Sequence, residues 1–250
     1  MRQRPAPSAQ PAGASHRVRL KAFLALAFWA LAATLPAGAQ GSAGAALPAV
    51  VVWDFDDQSP PGLAPPDAAG GYLKRSLGEN LTASLLQVPG LPVVERQRLK
   101  DLLAEQQLSS TELASEDSRV RLGRIVGAGR MVFGGFFVLG SEVQVHVRVV
   151  DTATSRVLFS DESTSPLASV MQQVEPMNRR LARALGGAPT VGGTTLEAAS
   201  WQAYDAALAL ADAGKLDEAV LALQGLLARD KSFSPAERQL VALLQKLARR

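Results

Sequence analysis

Asp54 and Asp56 stand two residues apart in V-V-W-D-F-D-D, at the exit of an apolar run. If both carboxylates lay on one side of a strand end, the pair could carry out phosphoryl transfer. One would attack phosphorus, the other would protonate the leaving group, and both would share a Mg²⁺ ion. Two features argue against that reading. Gln58 stands where such a motif wants Thr or Val, and no later acidic pair on a strand end supplies the remaining metal ligands. A solvated acidic turn explains Asp54, Asp56 and Asp57 more simply. The Mg-dependent phosphatase is kept only as a minor alternative.

The other chemical groups are sparser. His146 is the single histidine beyond residue 39, on the polar face of its expected strand, so a histidine triad or zinc cluster is disfavoured. Gly127-x-Gly129 precedes a strand instead of a helix, which is the wrong geometry for cradling a pyrophosphate. Gly134-Gly135 inside an apolar strand suggests a bulge or a close helix approach. The chain has no cysteine, which excludes disulfides, thiol catalysis and a lipidated cysteine. No catalytic, cofactor-binding or metal-ligating residue is assigned. The chain reads as a binding or assembly module.

The N-terminus speaks to compartment. Arg2, Arg4, Arg17, Arg19 and Lys21 precede the apolar run Ala22 to Leu35, and Ala37-Gly38-Ala39 offers an A-x-A site, so residues 1–39 are expected to be a cleaved signal peptide. The apolar run is shorter than the roughly 20 residues of a spanning helix. Those five residues are the only charged ones before Gln40, so their removal turns a net charge of +3 into −2. The basic pI therefore belongs to the precursor and is no footprint of nucleic acid. The expectation is an exported protein with no transmembrane segment after cleavage.

The elements that hold these groups follow one another in tight succession along the chain. Residues 40–48 are small and Gly-rich, a disordered lead-in. Ala49 to Phe55 is a buried strand, and Pro60-Pro61-Gly62 with Pro65-Pro66 forces a loop. Leu73, Leu77, Leu81 and Leu85 give a core-facing stripe on a helix over 72–87. Leu91 to Val94 is a short strand. A helix over 98–108 carries Leu99, Leu102, Leu103 and Leu108. Ser109-Ser110 breaks it, and a third helix over 115–126 carries Val120, Leu122, Ile125 and Val126. Gly127-Ala128-Gly129 ends that helix.

Met131 to Leu139 is a central strand, and Gly140-Ser141 reverses it. Val143, Val145, Val147 and Val149 then alternate with Gln144, His146 and Arg148, as in a sheet covered on one side. Arg156 to Ser160 is the last strand, and a helix over 167–185 closes a domain expected at 49–187. Residues 188–194 read as a Gly-rich linker. Beyond it, 195–250 is helical, with Trp201, Tyr204 and Leu208 on one helix and G-K-L-D-E-A opening the next. This unit resembles a single tetratricopeptide repeat with a third helix as cap. A plain helical hairpin docked on the first domain explains it equally well.

Taken in order, V-V-W-D-F-D-D-Q-S, P-G-L-P-V-V-E-R, L-L-A-E-Q-Q-L, R-L-G-R-I-V-G-A-G-R-M-V-F-G-G and V-R-V-V-D-T-A-T-S-R-V-L resemble the domain shared by the CsgG, FlgO and TolB amino-terminal families. The resemblance covers residues 50–165. It implies an α/β sandwich of the anticodon-binding-domain type with a mixed sheet, in a periplasmic or outer-membrane-associated assembly protein. The small all-α C-terminal unit is added to it. Two departures qualify the resemblance. CsgG-type channels are similar to lipoproteins and add barrel hairpins, whereas here there is no cysteine and no strand to spare. Asp54 also replaces a usual proline.

The functional expectation is a non-enzymatic, CsgG-like adaptor in envelope assembly or protein secretion. Its partners would be envelope or secretion proteins, and a homo-oligomer and peripheral contact with the outer membrane are compatible with it. The alternative is an activator of a cell-wall synthase. Such activators use a long disordered tether, whereas Gln40 to Pro48 spans at most about 30 Å. Candidate protein-binding residues are Gln144, His146 and Arg148 on the wet sheet face, and Trp201 and Tyr204 on the helical unit, although aromatics at that spacing are more often packed in the unit's own core.

Overall fold

In a computed structural model, residues 47–60, 71–105, 115–187 and 197–249 are described. The expected signal peptide, most of the 40–48 lead-in, the Pro-rich loop at 61–70, the Leu108 to Ser110 helix end and the 188–194 linker lie outside them.

Six strands form one mixed sheet in the order β3-β1-β4-β5-β6, where β1 is Val50–Val52, β3 Val93–Val94, β4 Arg130–Leu139, β5 Glu142–Asp151 and β6 Val157–Pro166. The sixth strand, β2 (Asp56–Asp57), pairs with β4 beyond the end of β1. β1 runs parallel to both β3 and β4, whereas β4, β5 and β6 form an antiparallel meander. The run expected as a single strand from Ala49 to Phe55 is thus split. β1 stops at Val52, and the Phe55 amide turns aside to donate to the Lys74 carbonyl at 2.8 Å.

The leucine stripe works as its spacing predicts. In α1 (Leu73–Leu86), Leu73, Leu77, Leu81 and Leu85 are all buried in the larger of two apolar clusters. Each such side chain contributes up to about 2 kcal/mol by leaving water. The alternating valines Val143, Val145, Val147 and Val149 enter the same cluster from β5. Gly140 makes the β4–β5 reversal with φ +60, and Gly127 stops the preceding helix with φ +74.

The opposite sheet face is not simply wet. Helices α2 (Arg96–Glu105) and α3 (Glu116–Ile125) cover one end of it, where Leu99, Val120 and Leu122 join Val51, Met131, Phe133 and Val150 in a second cluster. Among the described residues, the sheet is therefore covered on both sides at the β1 end and open toward the β4–β5 turn. Ile125, counted with the apolar face of α3, is 58% exposed instead.

Two lengths also differ from expectation. β6 continues to Pro166, because Asp161, Ser163 and Ser165 keep the ladder to β5 through a polar stretch of low strand propensity. The helix expected over 167–185 is broken into a 3₁₀ turn at Leu167–Ser169, α4 (Val170–Gln173) and α5 (Glu175–Ala184). Pro176 has no N–H to continue a helical ladder there.

Among the described residues three helices follow: α6 (Ala198–Asp212), α7 (Leu216–Arg229) and α8 (Ser234–Leu247). Their apolar faces share one cluster with the α/β part, so they dock on α1.

Candidate functional site

The uncovered end of the sheet presents one row of side chains across four strands. Backbone pairing places Asp56 of β2, Gly135 of β4, His146 of β5 and Glu162 of β6 side by side. Gly135 leaves the gap the row needs. A methyl there would lie 2.6 and 2.7 Å from the Cε1 and Nε2 atoms of His146, so the glycine lets the imidazole lean across the sheet. Its neighbour Gly134 does the same on the core face, where a methyl would sit 2.2 Å from the Phe55 ring. The glycine pair is thus neither a bulge nor a helix approach. The β4–β5 register passes through it without a shift.

Helix α3 walls the row with charge. Arg119 donates to Asp56 at 2.9 Å while its guanidinium lies 5.4 Å from the Trp53 ring centre. Glu116 pairs with Arg148, and Gln144 donates to Glu162 at 3.3 Å. Burial, then the Arg148 charge, holds the His146 imidazole below its usual pKa, against the pull of Glu162 and Asp56. Beyond the charged row, half-buried Phe137 and exposed Leu139 continue the open face toward the turn. The result is a shallow amphipathic platform; the enclosed space beside His146 is only about 30 Å³.

Asp54 and Asp56 do not form one site. The Asp54 carboxylate accepts from Arg96 of α2 at 3.2 Å, and Asp56 answers to Arg119 of α3. Each acid is neutralised by a different arginine on a different helix. Among the described residues no group of three or more His, Cys, Asp or Glu could hold a metal ion.

Trp201 and Tyr204 correct the reading of the helical unit as a partner surface. They are 0% and 1% exposed, with ring centres 6.0 Å apart, and Phe233 stacks edge-on to both. Their spacing is that of a helix face, and the face turns inward. Below them lies a polar seam that sequence reasoning missed. Ser76, Glu79, Asn80 and Thr82 of α1 are all buried, because α1 is packed on by α5, α6 and α8 as well as the sheet. Tyr204 donates its hydroxyl to Glu79 at 3.3 Å, and Asn178 donates to Asn80 at 2.7 Å. Around the rim, Arg75 grips Asp205 through two bonds of 2.7 and 2.8 Å. Asp212 receives Arg96 at 2.8 Å and pairs with Lys100. A polar break in an apolar stripe at Ser76, Glu79 and Asn80 was the available signal.

Residues 33–142 match the family model for the curli production assembly/transport component CsgG. The match runs to the first residue of β5, so the rest of the meander and all the C-terminal helices lie beyond it. No curated protein sequence matches the chain. Among solved structures, the LpoB C-terminal domain from Salmonella enterica aligns at 16% identity and TM-score 0.38, covering 48% of this chain and 84% of that one. Lipoprotein GNA1162 from Neisseria meningitidis gives 14% and 0.38, over 48% and 80%. The PelC dodecamer from Paraburkholderia phytofirmans gives 14% and 0.31, over 56% and 88%.

Proposed function

We propose that this chain, which carries a CsgG-type segment over residues 33–142, is an exported, non-enzymatic adaptor in envelope assembly or protein secretion. The family match carries the reading. The site chemistry agrees with it, since Asp54, Asp56, Glu116 and Arg148 are each engaged in an ion pair that holds helices on the sheet. The partner surface is the open face around Gln144, His146 and Arg148, extended by Phe137 and Leu139. Apolar groups ringed by polar ones are the usual make-up of a protein interface. The partner is an envelope or secretion protein or another copy of the chain. No helix among the described residues is long and apolar enough to cross a membrane.

A photo-crosslinking residue at Gln144, read against one at the exposed Leu221 of α7, tests this in producing cells. The expected result is an adduct from Gln144 with an envelope protein or a second copy, weakened by Arg148→Glu, in a fraction released with the cell envelope. Retention in the cytosol, or adducts indifferent to position, would sink the proposal. An adduct with a cell-wall synthase would redirect it toward synthase regulation. Mg-dependent phosphate release that is abolished by Asp54→Asn would overturn its non-enzymatic part.

A further inference from the structure

We infer that the C-terminal helices are fastened to the α/β domain by a proton-linked latch centred on Glu79, closed when that carboxyl is protonated and loosened when it ionises. The inference stands on the packing beneath α1 and does not depend on the adaptor reading.

Glu79 is 7% exposed, and its carboxylate accepts a hydrogen bond from the hydroxyl of Tyr204, a residue 1% exposed in the facing helix α6. The rest of that wall is the buried aromatic set Trp201, Tyr204 and Phe233, packed edge-on to one another. The charged groups near Glu79 come from three other elements. Arg96 of α2 and Arg238 of α8 attract a carboxylate, while Asp54 at the exit of β1 repels it. Both cations are engaged elsewhere. Arg96 bonds to Asp54 and Asp212, and Arg238 lies 3.8 Å from Glu95. From α6, Asp205 is taken by Arg75, and α5 contributes the neutral Asn178 to the adjacent Asn80.

An acid so placed holds its proton. Burial first, with help from Asp54 and against Arg96, Arg238 and the Tyr204 hydrogen bond, pushes the Glu79 carboxyl up to about 7. A folded-state pKa above the unfolded value favours the closed seam under acid conditions. That contribution is complete below the ordinary value of 4.5 and is lost as pH rises through about 7. Across that window the closing equilibrium changes by up to roughly 300-fold. Opening of the centre leaves the rim pairs Arg75–Asp205 and Arg96–Asp212 in place. The device therefore loosens the helices without releasing them.

Hydrogen exchange on the full chain at pH 5.5 and 8.5, corrected for intrinsic exchange chemistry, reads the latch directly. Amides of α6 should lose protection by about 30-fold relative to those of the β4–β5 ladder at the higher pH, and Glu79→Gln should abolish the difference. Protection that moves in parallel in both regions, or a wild-type profile retained by Glu79→Gln, would overturn the latch. Should Glu79→Gln fail to fold, the carboxyl carbon of Glu79 followed by NMR in the wild-type chain decides instead. A midpoint near 7 supports the latch, and one between 4 and 5 refutes it.

Discussion

Acids and arginines gather in two places in this molecule, and the same residue types behave differently in each. On the open face of β4–β6, Glu116 and Arg148 pair with side chains 36% and 45% exposed, where water screens both partners. In the seam beneath α1, Glu79 is sealed between helices with a tyrosine for company, while the nearby Arg96 and Arg238 pair with other acids. An exposed pair of the first kind is worth roughly 0–1 kcal/mol. A buried carboxyl of the second kind ties stability to pH. The number of elements stacked over a side chain, more than its identity, decides whether its charge matters to folding.

The contrast breaks most visibly at Trp201. Trp201→Ala removes the largest fully buried side chain and strips Tyr204 and Phe233 of their edge contacts, so urea unfolding should show a loss of about 3–5 kcal/mol. No substitution at Gln144 should approach that.

Glu79→Gln tests the seam through pH. Wild-type stability should fall as pH rises from 4.5 through about 7, by an amount of order 3 kcal/mol, because the folded state holds the proton more tightly than the unfolded chain. The glutamine variant should lose that fall over the same range and be more stable than wild type at pH 8. Denaturation midpoints collected across pH check both statements, and a wild-type profile that rises with pH would contradict them.

The adjacent glycines of β4 set the two environments against each other within one strand. Gly134→Ala drives a methyl into the Phe55 ring, which is 1% exposed and has nowhere to go, and should cost about 1–3 kcal/mol. Gly135→Ala meets the half-buried His146 ring and the end of the exposed Gln58 side chain, both of which can swing toward solvent, so roughly 1 kcal/mol or less is expected. The same swing should raise the imidazole pKa toward its ordinary value, visible in an NMR titration.

Arg148→Ala gives the smallest effect. Its exposed pair with Glu116 should contribute less than about 1 kcal/mol, yet its loss removes a positive charge beside His146 and should raise that pKa too. An unchanged His146 titration would mean that burial alone sets it.

Local periodicity made much of the fold legible. The four leucines of α1 and the four valines of β5 define their buried faces without reference to any other part of the chain, and Gly127 and Gly140 mark turns that only a positive φ permits. The ends of β6 and the break at Pro176 were harder. A polar strand is held by its neighbour's ladder instead of its own propensity, and a single proline acts only where the next turn would begin. The candidate site was half legible. Gln144, His146 and Arg148 follow from alternation, whereas Asp56, Arg119 and Glu116 join them only because β2 pairs with β4 and α3 crosses the sheet.

The sequence by itself determined which residues face together along one helix or strand, because that depends on periods of 3.6 and 2. Tertiary structure alone decided what those faces meet. Asp54 and Asp56, two residues apart, went to arginines on different helices. Trp201 and Tyr204 turned into the core, and Glu79 lost its water to helices more than a hundred residues away. Charge pairing and desolvation are set by distance in space, which spacing along the chain does not encode.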